Sequence, residues 1–185
     1  MAAHLAAAGL RVFYISSAKF LPASDNRPYA LRKMAPNLYE IVLRATKQPA
    51  IYNELISPAL EDEFSDHLQV LFEQNAIHTA LQIVELPFWV GLSFRTRDDY
   101  GWRVIYDCMD EWEDFPGIQP ALLDGEKQLL KDSDLVTMTA QVLYDKYAEQ
   151  TREALLLRNA VAFDLFAEHV VPNDIASDYE HPIIG

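Results

Sequence analysis

The chain has 185 residues, half of them apolar, with Phe 9, Tyr 9 and Trp 3. That is enough to bury a core of domain size, which excludes a disordered chain. A formal net charge of −13 sets the surface against phosphate and excludes nucleic acid and anionic membrane as main partners.

The single cysteine, Cys108, rules out an internal disulfide framework and fits a reducing compartment. No apolar run reaches the length of a membrane span, so no transmembrane segment is expected. The Ala-rich start lacks the basic region of a signal peptide. The expected location is cytoplasmic.

Residues 2–8 form a helix by propensity, with Gly9 placed to end it. An apolar run over 11–15 then reads as a strand. A helix handing over to a buried strand is the middle of a βαβ unit. A doubly wound domain places a strand and a tight loop before that helix, so the first strand is expected to be lacking. Residues 16–27 carry Pro, Asn, Asp and Ser and read as a loop. Residues 38–43 are a second strand, and 48–58 an irregular stretch with two prolines. Phe64, His67, Leu68, Leu71 and Phe72 recur at helical spacing within 60–75, behind an acidic first turn. His67 falls on the inner face of that helix and reads as a core histidine. A third strand is expected over 79–84, a helix over 88–100 behind Pro87, and a fourth strand over 102–106. Further along, helices over 121–131 and 140–151 alternate with strands over 134–138 and 154–157. Most of these strands are apolar on both faces, as strands of a parallel sheet covered by helices are. The expected class is α/β, a three-layer Rossmann-like domain with a mostly parallel sheet.

The stretch from Val104 to Gly117 carries the most chemical information. A buried strand runs directly into Asp107, Asp110 and Glu111. In open α/β sheets ligands bind beyond the carboxyl ends of the strands. Carboxylates placed there accept hydrogen bonds from sugar hydroxyls, or one serves as a general base. Acids after a strand also serve simply to charge the start of a helix, which on spacing alone is the commoner role. Cys108 stands among acids with no cation nearby in sequence, which predicts a packed, inert thiol. The five histidines show no paired ligand spacing, so no metal and no cofactor is expected. No GxxxxGK[ST], GxGxxG, GxSxG or CxxC motif occurs, which predicts that a nucleotide, if used, is held mostly elsewhere.

The segment Tyr106-Asp107-Cys108-Met109-Asp110-Glu111 resembles the amino-terminal domains of bacterial family 4-like glycosyltransferases of GT-B type. Four other pieces agree in order. Residues 2–15 resemble that family's helix and second strand, and Glu85-Leu86-Pro87-Phe88-Trp89 its "Leu-Pro-Phe-Trp" segment. Residues 126–139 resemble its "ADLV" helix–strand unit, and 157–166 its "PNGVDxxxF" crossover between domains. The resemblance implies two facing Rossmann-like domains. The first shapes the acceptor side; the second grips a nucleotide-sugar donor, without a metal. It assigns Asp107, Asp110 and Glu111 to the interdomain cleft and Arg158 and Asn159 to the crossover. Residues 1–170 would be the acceptor-side domain, and 171–185 the start of the second domain or a tail. The sequence departs from the family at Met109, where many relatives carry histidine, and at Ala160 and Ala162, where Gly and Asp are usual.

The resulting expectation is a sugar transferase whose isolated first domain transfers nothing. The alternative is a non-catalytic Rossmann-like protein-binding module. Beyond Gly185, a helix with two acids about eight residues apart would favour the enzyme, because that spacing sets both on one face. A third reading, an epimerase of similar build, is disfavoured by the crossover motif alone.

Overall fold

The structure, a computed structural model, describes residues 1–160. The second half of the crossover motif (161–166), the 171–185 segment and the 170 boundary lie outside the described residues.

Helix α1, Ala2–Ala7, stops at Gly9, whose φ of 93° is a conformation open to glycine and strained for other residues. It leads into β1, Val12–Ile15. The next strands, β2 (Tyr29–Ala35) and β3 (Leu38–Leu43), form a hairpin around Asn37, which adopts a φ of 60°. Helix α2 spans Pro58–Gln74. It begins earlier than its apolar spacing suggests, because Ser57 caps it and Pro58 fits its first turn; Ser57 Oγ accepts from Leu60 N at 3.4 Å. Strand β4, Leu81–Val84, is followed by a 3-10 turn at Pro87–Trp89 and then α3, Val90–Tyr100. After β5 (Arg103–Cys108) come α4 (Pro120–Asp132), β6 (Leu135–Met138), α5 (Gln141–Tyr147) and β7 (Ala154–Leu156).

The α/β class holds: β4, β5, β6 and β7 form a four-stranded all-parallel sheet flanked by helices. The remaining strands form a separate sheet in the order β1-β3-β2, with β1 parallel and β2 antiparallel to β3. The antiparallel β2 is a departure from the strand series read in the sequence. It is an edge strand with Arg32 and Lys33 exposed, so it lacks the apolar run that betrays its neighbours. Its signal was Pro36-Asn37, a turn between two runs.

Two groups of buried side chains form the core. One lies under the parallel sheet, where Val104, Tyr106 and Val136 meet Leu129 and Leu130 of α4. The other joins Ile41 and Leu43 of β3 to Phe64 and Leu71 of α2 and Phe88. Leu55 and Trp89 pack against both groups and make them one body. Between β1 and β4, which are edge strands among the described residues, runs an apolar groove of about 760 Å³.

The helices pack closely at Gly125. A Cβ there would stand 2.9 Å from Leu55 Cδ2, 3.3 Å from Val90 Cγ1 and 3.4 Å from the Pro87 carbonyl. Gly125→Val is therefore expected to lower the unfolding free energy by about 1–2 kcal/mol through overpacking, read as an earlier urea midpoint.

Candidate functional site

Strand β5 ends on Asp107 and Cys108, so Asp107 reaches the carboxyl edge of the parallel sheet, where α/β ligands sit. It is 3% exposed, and its Oδ1 accepts a hydrogen bond of 2.6 Å from Thr137 Oγ1. The register pairs Asp107 directly with Thr137 on β6, so the sheet itself aligns donor and acceptor. Its second carboxylate oxygen has no hydrogen-bond partner among the described residues.

Glu85 follows β4 and completes this edge. Burial raises its pKa first, and the Asp107 carboxylate adds to the rise; the Met1 amine opposes both. Two carboxylates thus share one end of the sheet, and Glu85 carries a proton to higher pH than an ordinary glutamate. Glu85 belongs to the Leu-Pro-Phe-Trp segment but was not singled out among the site acids. Its signal was a charged residue directly behind an apolar strand.

Asp110 and Glu111 make no hydrogen bond with Asp107, whose side-chain bond goes to Thr137. Asp110 is exposed. Glu111, with Glu113, is ion-paired to Lys146 of α5. No cation stands near these acids in sequence; Lys146 is 35 residues beyond Glu111, and only the fold brings it there. It also replaces the simple capping role, since Glu111 makes no side-chain capping bond to the 3-10 turn that follows it. The three side chains are substantially exposed, so Lys146→Met is expected to cost about 0.5 kcal/mol, and less in high salt, by thermal unfolding at two salt concentrations.

Cys108 is fully buried, and burial first, then the Glu126 charge, pushes its thiol up to about 12. Burial and the raised pKa both disfavour its thiolate, the form that reacts. Met109 lends its carbonyl to Thr139 Oγ1 at 3.0 Å, so the loop after β5 is fastened to the loop after β6. His67 is buried, in keeping with its inner-face position on α2.

Arg158 and Asn159 follow β7 at the same sheet edge and are exposed. Arg158 Nη2 donates to Gln141 Oε1 at 3.3 Å, against the first turn of α5.

A further acid escaped the sequence reading. Glu126 of α4 is 4% exposed and accepts a hydrogen bond of 3.2 Å from the Tyr106 hydroxyl. Burial drives its pKa from an ordinary 4.5 up to about 7, despite that bond. Its signal was its place at helical spacing between Leu122 and Leu129, on the buried stripe.

Among the described residues no three His, Cys, Asp or Glu side chains converge as a metal site, and no helix is long and apolar enough to cross a membrane.

No family model matches the chain, and no curated protein sequence does. Among solved structures, a sucrose-phosphate synthase chain of Thermosynechococcus elongatus is similar, with a TM-score of 0.61 at 14% identity over 90% of this chain and 85% of that one. At that identity the likeness shows the fold alone: a Rossmann-like α/β domain.

Proposed function

We propose that this chain is the amino-terminal, acceptor-side domain of a nucleotide-sugar-dependent glycosyltransferase of GT-B type, related to the family 4-like enzymes. The observation that carries the proposal is the carboxyl edge of the parallel sheet, where buried Asp107 keeps one oxygen unpartnered beside Glu85. A glycosyltransferase-like fold around that edge supports the reading.

In the transfer, the acceptor hydroxyl oxygen bonds to the anomeric carbon of the donor sugar, the bond from that carbon to the nucleotide phosphate oxygen breaks, and the hydroxyl proton passes to Asp107 or to the departing phosphate. Asp107 would accept a hydrogen bond from an acceptor hydroxyl and fix its orientation, a positioning contribution to the rate beside electrostatic stabilisation of the leaving nucleotide. The donor nucleotide would be held mainly by a second, carboxyl-terminal domain. Asp110 and Arg158 would rim the cleft, with Asn159 leading into the crossover. Glu111 would serve the wall indirectly, through Lys146.

The test is a turnover screen with a panel of nucleotide-sugars, run on the 185-residue chain and on the two-domain protein. Sugar transfer is expected from the two-domain protein and none from the 185 residues alone. Turnover by the 185 residues would refute the division of labour. A two-domain protein that neither binds nor hydrolyses any nucleotide-sugar would refute the enzyme and favour the protein-binding module.

A further inference from the structure

Two loops that follow different strands meet over three aromatic rings. Tyr52 lies in the segment between β3 and α2; Trp112 and Phe115 lie between β5 and α4. The ring centroids of Tyr52 and Trp112 are 6.4 Å apart, and those of Trp112 and Phe115 5.5 Å, with interplanar angles of 34° and 35°. Both loops open on one side of the molecule. Arg11, just before β1, donates to the carbonyls of Asn75 and Ala76, ahead of β4, at 2.9 and 3.1 Å, so the amino ends of β1 and β4 lie together. Strand β3 runs parallel to β1, and β5 to β4, so their carboxyl ends share the opposite side. Ligands of open α/β sheets sit on that side.

Trp112 is 7% exposed and belongs to neither group of core side chains. Among the described residues its two flanking rings are open to water, Tyr52 at 53% and Phe115 at 46%. An aromatic patch of this kind at a ligand-binding edge marks a contact site. The backbone beneath it is fixed. Ile51 and Leu55, on either side of Tyr52, pack against the second core group, as does Ile118 beyond Phe115. Phe115 N donates to Trp112 O at 3.1 Å, and Ile118 N to Phe115 O at 3.3 Å. The rings are thus held in place before anything binds, which lowers the ordering cost of binding.

Charge narrows the occupant. Asp110, Glu111, Glu113 and Asp114 stand on the same loop as Trp112, and one amine, Lys146, pairs with Glu111 and Glu113. A phosphate or carboxylate ligand is repelled there. A flat hydrocarbon leaves the carboxylates without a donor. A neutral pyranose suits both features: its C–H face lies on an aromatic ring, and its rim hydroxyls donate to carboxylates.

We propose that Tyr52, Trp112 and Phe115 form a stacking platform for the ring of an uncharged saccharide. That this saccharide is the acceptor rests on the sugar-transfer reading; the binding itself does not. The platform would set which acceptors enter, by excluding phosphorylated and acidic sugars and by favouring those with a continuous C–H face.

The test titrates the isotope-labelled 185-residue chain with cellobiose, maltose, glucuronate, sorbitol and benzyl alcohol, followed by NMR at the Trp112 indole and the amides of Tyr52 and Phe115. Sorbitol carries hydroxyls without a ring face, and benzyl alcohol a flat face without the hydroxyl rim. The two disaccharides are expected to shift all three signals, and the other probes to bind at least about 10-fold more weakly. Tyr52→Ala and Phe115→Ala each weaken disaccharide binding about 10-fold with little change in melting temperature, whereas Tyr52→Phe binds as the unaltered chain does. The proposal is overturned if neither disaccharide shifts the signals at roughly 100 mM, or if glucuronate or benzyl alcohol binds equally well. Full binding by both alanine variants also overturns it. Shifts that grow with protein concentration alone overturn it in favour of a second copy, and cross-relaxation between these rings and residues 161–185 in favour of that segment. In the two-domain protein both alanine variants are expected to raise KM for a neutral saccharide acceptor and leave kcat little changed. Turnover that neither variant alters overturns the platform and leaves the transferase standing. Disaccharide binding lost in the variants, with no turnover by the two-domain protein, upholds the platform and refutes the transferase.

Discussion

Replacing Glu126 by glutamine is expected to stabilise the protein above pH 7 and to flatten its stability between pH 4.5 and 7. Below pH 4.5 Glu126 is protonated in both folded and unfolded chains and costs nothing. Between 4.5 and about 7 the unfolded chain has lost the proton while the folded chain still holds it, so unfolding gains ground as pH rises. Above pH 7 the folded state carries the full penalty of a buried carboxylate, about 3 kcal/mol for a pKa raised from 4.5 to about 7. Glutamine keeps an acceptor for the Tyr106 hydroxyl but buries an amide, which returns about 1 kcal/mol of the gain. The net result at pH 8 is a gain of about 2 kcal/mol, or about 5 °C in melting temperature for a chain of this size. Thermal unfolding of both proteins from pH 4 to pH 8 checks this. A wild-type profile without a fall between pH 4.5 and 7, or a glutamine variant that melts earlier at pH 8, would contradict the burial of an ionising group here.

Glu126 also shows what a sequence does and does not disclose. The parallel sheet was legible because β5 and β6 are apolar on both faces, with Val104 and Val136 fully buried. The carboxyl-edge position of Asp107 followed from one fact, that an acid directly ends such a strand. The ion pairs of Lys146 with Glu111 and Glu113 were not legible, because 35 and 33 residues of chain separate the partners and no local rule joins them. Glu126 was hidden differently. Propensity favours glutamate in a helix wherever it falls, so its place on the buried stripe of α4 drew no attention. Strand β2 was missed because its side chains face water at an edge. The expectation that a first strand is lacking came from the order helix, glycine, strand. Among the described residues the strands form two sheets, β1-β3-β2 and β4-β5-β6-β7, with β1 and β4 at their edges.

Asp107→Asn is expected to lower kcat/KM of the two-domain protein by about 100-fold while leaving the fold intact. The side chain is 3% exposed and its Oδ1 accepts from Thr137 Oγ1 at 2.6 Å; an asparagine oxygen accepts the same bond. What is lost is the charge, and with it the strong hydrogen bond from an acceptor hydroxyl and any capacity to take its proton. A structural role alone would also lower activity, so a second readout is needed. Asp107 raises the pKa of Glu85, second to burial. Removing its charge should move the Glu85 titration down toward the ordinary range without abolishing the part due to burial, which carbon-detected NMR of the Glu85 carboxyl group reads directly. Thr137→Val provides the contrast. It keeps the charge but strips its donor, leaving a buried carboxylate without that bond, at a cost to folding of about 2 kcal/mol. The proposal requires the two variants to separate: asparagine fails in turnover and stays stable, valine loses stability first. Full turnover by the asparagine variant, with the Glu85 titration shifted as expected, would remove Asp107 from the acceptor side of the cleft and leave its carboxylate a matter of folding.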